Sequence, residues 1–167
     1  SERRNLEQFA SNFAGDDGVH FPLAYAPLST RRVLTMEKLN GISATRADAL
    51  ADSGVDLDEF ARRGATMYLH MIFRDALYHA DPHPGNLMLL PGGVVGMLDF
   101  GMVGYVGQSL RDLSLSDALN SLFEIIHRHN ITLPPQLTML LRTLVELEGT
   151  GRRLSPSFNL AEVIRPF

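Results

Sequence analysis

Asp81 and Asn86 stand five residues apart in the stretch HADPHPGN, and Asp99 follows thirteen residues after Asn86, directly before Phe100 and Gly101. Each is a type with a definite chemical use. A carboxylate at Asp81 can accept a hydroxyl proton or orient a water. The amide oxygen of Asn86 and a second carboxylate at Asp99 are hard oxygen donors of the kind that hold Mg²⁺ on phosphates. Between the first two, Pro82 and Pro84 fix φ and push Asp81 and His83 towards extended backbone, while Gly85 restores freedom. A loop stiffened in this way presents its polar ends with little ordering entropy left to lose. Asp and Asn are also ordinary turn residues. Three of them in this register, ahead of Asp-Phe-Gly, favour chemistry over simple turn formation.

Several elements must position these groups. Leu6, Phe9, Ala10 and Phe13 follow helical spacing from Ser1, and Gly15 to Gly18 ends that helix. His20 to Tyr25 and Arg32 to Glu37 read as strands, with Pro22 marking an edge and Asn40-Gly41 a turn. Asp56 or Asp58 caps a long helix through about Tyr78, whose buried face is Phe60, Gly64, Met67, Met71 and Ile72, with Gly64 suggesting close packing. Leu87 to Leu90 and Val94 to Leu98, joined by Pro91-Gly92-Gly93, form a hairpin. A helix is expected from about Ser116 to His129, with His127 and His129 near its end dipole and Asn130 as C-cap. Pro134-Pro135 start another, with a core face of Leu137, Leu140, Leu141, Leu144 and Leu147. The order predicts an α+β fold with helices dominating the second half.

Bulk properties narrow the function. The 167 residues suit one domain with a substantial core, and 45% apolar content is ordinary. A net charge of −4 carries no footprint for nucleic acid. With no cysteine, disulfides and thiolate metal sites are excluded. The longest uncharged runs are too short to span a bilayer, so no transmembrane segment is expected. The chain starts at Ser1 without a methionine or a visible signal peptide and reads as a piece of something longer.

The order D-x-x-x-x-N, hairpin, D-F-G is that of protein-kinase-like folds. More specifically, HADPHPGN followed by LDFGMVG resembles the UbiB family of atypical kinases, the aarF-domain kinases. The likeness runs nearly end to end: ERRNLEQFASNF resembles the family's Glu-x-x-Asn helix, FPLAYAPLSTRRVLTMEKLNG its strand pair and hinge, and LPPQLTMLLRTLVELEGTGRRLSPSFNL its C-terminal helical segment. The resemblance implies ATP and Mg²⁺ as cofactors. It gives Asp81 the catalytic-loop aspartate role and makes Asn86 and Asp99 metal ligands. Glu2 matches the helix glutamate that pairs with a nucleotide-holding lysine, and Glu37 and Leu39 fall at the hinge beside the adenine. His83 stands two after the catalytic aspartate, where typical protein kinases carry a phosphate-contacting lysine; contact with the phosphate and packing of the loop are equal readings. His79 is expected to brace the loop by hydrogen bonding. A His79-Asp81-His83 metal triad is disfavoured, because alternating residues beside prolines seldom converge on one ion.

Three departures from the family pattern shape the expectations. The N-lobe lysine, the Ala-rich nucleotide loop and the Lys-x-Gly-Gln motif belong before Ser1. The connection from Gly104 to LPPQL is short, as if helices were missing near Arg111 to Ser116, and the family's hydrophobic tail would follow Phe167. Residues 1–167 are therefore read as a single incomplete kinase-like domain, with 1–40 the end of the N-lobe and hinge and 41–167 a helical C-lobe carrying the catalytic β-hairpin. Alone it is expected to bind Mg-ATP poorly, to be inactive, and to leave Phe21, Val33 and Leu34 partly exposed. The resemblance implies a kinase or ATPase of ubiquinone or lipid metabolism, with a nucleotide and a lipid or quinone-precursor substrate as partners. It also implies peripheral membrane association of the intact protein, in the cytoplasm or on its membrane face. The lack of an Ala-Pro-Glu segment after Gly101 argues against peptide substrates. The alternatives are a non-catalytic nucleotide-binding scaffold and a small-molecule phosphotransferase related to antibiotic kinases.

Overall fold

Gly92 and Gly93 both adopt positive φ, 79° and 75°, and this tight turn closes the hairpin on which the sheet is built. The computed structural model describes residues 2–106 and 135–164. The expected helix over 116–129, the cap at Asn130, the dipole roles of His127 and His129 and the gap near Arg111 lie outside them.

Strand β4 (Leu87–Leu90) pairs antiparallel with β5 (Val94–Met97), Leu87 opposite Met97. Alternate β4 residues Leu87 and Leu89 are buried. β5 also runs parallel to the two-residue β1 (Val19–His20), and β2 (Ile42–Ser43) lies antiparallel to β4, giving the order β1-β5-β4-β2. The two expected strands before Asn40 are mostly irregular. Beyond β1, the runs meet only at a bridge between Ala24 and Met36, where the Tyr25 N–H donates to the Thr35 carbonyl at 2.9 Å and the Glu37 N–H to Leu23 at 2.8 Å. Pro22 offers no ladder donor, and Pro27 begins a 3₁₀ turn, so neither run can extend.

Helix α1 (Glu2–Asn12) buries Leu6 and Phe9 completely. After the short α2 (Ala47–Ala51), Asp56 caps α3 (Leu57–Leu69) by accepting from the Asp58 and Glu59 N–H groups. The expected buried face of α3 is confirmed at Phe60, Gly64, Met67, Met71 and Ile72. Its expected end is not. The helix stops at Leu69, loosens into one π turn over His70–Arg74, turns at Ala76 with φ 54°, and becomes strand β3 (Leu77–His79). The partner of β3 is β6 (Val103–Tyr105), antiparallel with Tyr78 opposite Gly104. Only glycine fits there, because a Cβ would lie 2.3 Å from the Tyr78 ring. Long-range pairing thus overrides a locally helical pattern.

Helix α4 (Pro135–Leu154) buries Leu144 and Leu147 against α3, and α5 (Leu160–Ile164) closes the layer. Asp58 accepts from Ser155 and Ser157, tying the start of α3 to the end of α4. Of the residues expected to be partly exposed, Val33 is exposed, Leu34 is half-buried, and Phe21 is buried among aromatic rings. Among the described residues, no helix is long and apolar enough to cross a membrane.

Gly64 does not mark close packing. Among the described residues, its own helix backbone aside, no atom lies within 4 Å of where its Cβ would be, and it borders a small apolar void with Leu87, Val95 and Leu147. Gly64→Ala in the whole protein should therefore raise stability by about 1 kcal/mol, through helix propensity and void filling. Gly104→Ala should lower it by roughly 1–3 kcal/mol through overpacking against Tyr78. Urea-unfolding midpoints of the two variants check both signs.

Candidate functional site

The hairpin and the stiffened loop converge. The Leu98 N–H donates to the Asn86 carbonyl at 2.8 Å, so this rung sets Asn86 opposite Leu98 and Asp99 one residue further. The Asn86 amide nitrogen donates to the Asp81 carbonyl oxygen at 3.1 Å and to its carboxylate at 3.3 Å. With the nitrogen committed to Asp81, the Asn86 amide oxygen is left as the acceptor for a ligand. Asp99 has φ 57°, a left-handed conformation that Asp tolerates better than most residues and that collects at functional sites. One of its carboxylate oxygens accepts from the Gly101 N–H at 3.0 Å.

His79 links the two acidic segments. It is fully buried at the end of β3, its Nδ1 accepts from the Asp81 N–H at 3.2 Å, and its Nε2 donates to the Asp99 carbonyl. That pair of bonds assigns the proton to Nε2. Burial pushes the imidazole below its ordinary pKa, against the smaller upward pull of those backbone bonds and nearby carboxylates, and keeps it neutral. His79 braces the loop, as its position suggested.

Phe100 is buried completely, 6.0 Å from His79 in an edge contact, 5.9 Å from Phe9 and 6.1 Å from Phe21 between ring centroids. Its backbone is gripped by α1: Asn5 donates to the Phe100 carbonyl at 2.8 Å, and the Phe100 N–H donates to the Glu2 carboxylate at 3.4 Å. The structure thus brings Glu2, Asp81, Asn86 and Asp99 together around His79 and Phe100. Asn5 is the asparagine of the Glu-x-x-Asn pattern noted in the sequence, where it was given no role of its own. Its signal was available, because Asn5 lies three residues after Glu2 on the same helical face.

His83 faces solvent and caps the turn over Pro84–Asn86, its Nδ1 accepting from the Gly85 N–H at 2.9 Å. Its ring also lines a cavity with Asp81. Glu37 and Leu39 lie apart from the acidic cluster. They line a cavity of about 640 Å³ with Phe13, Asp16 and His20, and none of Asp81, Asn86 or Asp99 reaches it. The Glu37 carboxylate accepts from the Leu23 N–H at 3.1 Å and meets His20 at 3.0 Å, and the backbone bond leads in holding it below the usual carboxylate range. The Leu39 side chain lies over Gly96 of β5.

Among the described residues, no group of three or more His, Asp or Glu could hold a metal ion by itself. Asn86 and Asp99 nevertheless suit Mg²⁺, which is usually bound by one or two protein oxygens together with substrate phosphates.

Residues 1–129 match the family described as the ABC1 atypical kinase-like domain, and residues 102–159 match the UbiB helical domain. Among solved structures, the chain is similar to Rv3197 from Mycobacterium tuberculosis, solved in complex with erythromycin. The identity is 18% with a TM-score of 0.63, over 91% of this chain and 53% of that one. The chain therefore spans about half the length of that structure. A weaker likeness, at 18% identity and TM-score 0.44, is to monomeric WbdD, over 98% of this chain and 36% of that one. The fold is α+β and protein-kinase-like.

The bracing by His79 can be measured. His79→Phe keeps the ring against Phe100 but strands the Asp81 N–H and the Asp99 carbonyl, and should cost about 2–5 kcal/mol of stability. Asn5→Ala, which frees one partly buried carbonyl, should cost about 1 kcal/mol. Denaturant unfolding of both variants gives the comparison, and similar losses would contradict the bracing role.

Proposed function

This chain belongs to the family of ABC1 atypical kinase-like domains, and from that membership we propose that its whole protein transfers the γ-phosphoryl group of ATP in a Mg²⁺-dependent reaction. The observation that carries the reading is the hydrogen-bonded pair of Asp81 and Asn86 set beside Asp99 by one buried imidazole. Phosphoryl transfer asks a protein mainly for positioning and charge stabilisation, and this constellation supplies rigid oxygen groups at defined places.

The roles follow from the chemistry of each atom. Asp81 accepts the proton of an attacking hydroxyl or water. The oxygen so released bonds to the γ-phosphorus, the bond from that phosphorus to the β–γ bridging oxygen breaks, and ADP leaves. The Asn86 amide oxygen and the Asp99 carboxylate would hold Mg²⁺, which when bound neutralises phosphate charge. Glu2 and Asn5 hold Phe100, and with it the direction of Asp99. His83 caps the catalytic turn and stands where it could meet the transferred group. Glu37 and Leu39 would serve the adenine through backbone groups, on the family resemblance. The same resemblance supports a role in isoprenoid quinone or lipid metabolism, with a lipid or quinone-precursor acceptor and peripheral contact with a membrane.

Two substitutions separate the acidic roles in the whole protein. Asp99→Asn should abolish most of the thermal shift given by Mg-ATP, because a carboxylate facing a cation and phosphate has no neutral substitute. Asp81→Asn should keep that shift while turnover falls about a hundredfold, roughly 3 kcal/mol at the transition state. An undiminished shift in Asp99→Asn would remove it from the metal site. Loss of both binding and turnover in Asp81→Asn would make Asp81 a ligand.

A further inference from the structure

A second cavity, of about 270 Å³, is lined by Asp81. Asp81, His83 and Pro84 form one wall, and Arg142, Glu146, Gly149, Thr150 and Arg153 of α4 form the other. Positions 142, 146, 149, 150 and 153 recur at helical spacing, so they make one stripe along α4. A core-facing stripe would be apolar. This one is charged and small.

The two walls are held in register. The Thr150 hydroxyl is buried and donates to the Pro82 carbonyl inside the catalytic loop at 2.8 Å. Arg142 is satisfied by Glu146 at 2.7 Å, and their charges cancel. Arg153 has no ion pair among the described residues. The lining therefore carries the Asp81 carboxylate and, at Arg153, a guanidinium that no carboxylate among the described residues pairs.

Gly149 adds a second observation. Within the same helix, Gly151 is required, because its Cβ would stand 2.3 Å from Phe158. Around Gly149 no atom of the described residues, the helix's own backbone aside, lies within 4 Å of a Cβ. Glycine in a helix interior costs about 1 kcal/mol against alanine, and no neighbour among the described residues requires it here. It enlarges the cavity beside Asp81. Tyr68, near enough to Asp81 and Glu146 for their charges to act on it, is wholly buried, and its hydroxyl finds no partner among the described residues.

Resting on the phosphotransfer reading above, we propose that this cavity is the acceptor subsite, and that it takes a small molecule or head group carrying both a hydroxyl and an anionic group. The hydroxyl meets Asp81 and the anion meets Arg153. The volume lies just below the range of about 300–1,000 Å³ that encloses a drug-sized ligand, so an isoprenoid or acyl tail would stay outside. Arg153 is a specificity residue in this scheme: it presents a fork of N–H donors to a phosphate or carboxylate while Asp81 orients the attacking oxygen.

The test uses the whole protein with Mg-ATP, following ADP release and transfer of labelled phosphate. sn-Glycerol 3-phosphate is offered as the free probe, and phosphatidylglycerol in phosphatidylcholine vesicles as the head-group probe. Glycerol and pure phosphatidylcholine vesicles are the uncharged or hydroxyl-free controls. Stimulation or labelling is expected with one of the two anionic probes, and which one responds tells a free metabolite from a lipid head group. Arg153→Glu and Gly149→Leu should each bring the ratio of stimulated to unstimulated rate close to one, whereas Arg153→Lys should retain part of it. The expected loss in half-saturation is about tenfold, the weight of one charge-assisted hydrogen bond. No response to either anionic probe, an equal response to glycerol, or stimulation that survives both disabling variants would overturn the acceptor site. A Mg-ATP thermal shift on the wild type separates the two failures: if it is present, only the acceptor site falls, and if it is absent, the phosphotransfer reading falls with it.

Discussion

One buried imidazole sets the geometry on which the cluster of Asp81, Asn86 and Asp99 depends. Asp81 and Asp99 come from different elements, a proline-stiffened loop and the end of a hairpin, and the backbone alone does not fix their separation. His79 accepts from the N–H of one and donates to the carbonyl of the other, so each bond works only in a single tautomer. A protonated ring would carry two donors and would leave the Asp81 N–H facing another N–H. Burial lowers the pKa and removes that state. The neutral ring is therefore a structural requirement as much as an electrostatic result.

Around this bridge the fold is arranged as successive supports. Phe100 packs its ring edge against His79 and also meets Phe9 and Phe21, which stack at 6.0 Å. Such aromatic pairs add about 0.5–1.5 kcal/mol each beyond simple burial. α1 then holds the Phe100 backbone at both its N–H and its carbonyl. A displacement of α1 would pull on Phe100, and through it on Asp99 and His79. Precise placement of Asp99 is thus in part a property of a helix that is distant in sequence.

The loop, the hairpin, the Asp56 cap and the buried face of α3 were legible because each is written in local chemistry: proline and glycine at turns, an acid at a helix start, apolar residues at helical spacing. The end of α3 was not. Leu69 to Tyr78 contains neither proline nor glycine, and Met71 and Ile72 continue the helical stripe. What stops the helix is β6, some thirty residues away, whose Gly104 admits the Tyr78 ring and so makes a strand of Leu77–His79. Strands of three residues carry almost no periodic signal of their own. Gly64 misled for a related reason: a sequence shows that a side chain is absent without showing whether anything fills the space.

The same limit explains why these two acids and one amide were visible and their surroundings were not. Asp81, Asn86 and Asp99 fall within nineteen positions, and their spacing is itself a message. The stripe of Arg142, Glu146, Gly149 and Arg153 begins more than forty residues after Asp99, and in sequence it resembles the solvent face of any amphipathic helix. Only Leu144 and Leu147, which turn the opposite side of α4 into the core, together with the Thr150 bond to the Pro82 carbonyl, decide that the charged side faces the Asp81–Asn86 loop. One helix thereby serves two surfaces, an apolar side that anchors it and a polar side that completes a cavity. A helix fixed by its core packing can hold an arginine near Asp81 with less positional freedom than a loop would allow. That rigidity is what the proposed transfer reaction would ask of a second wall.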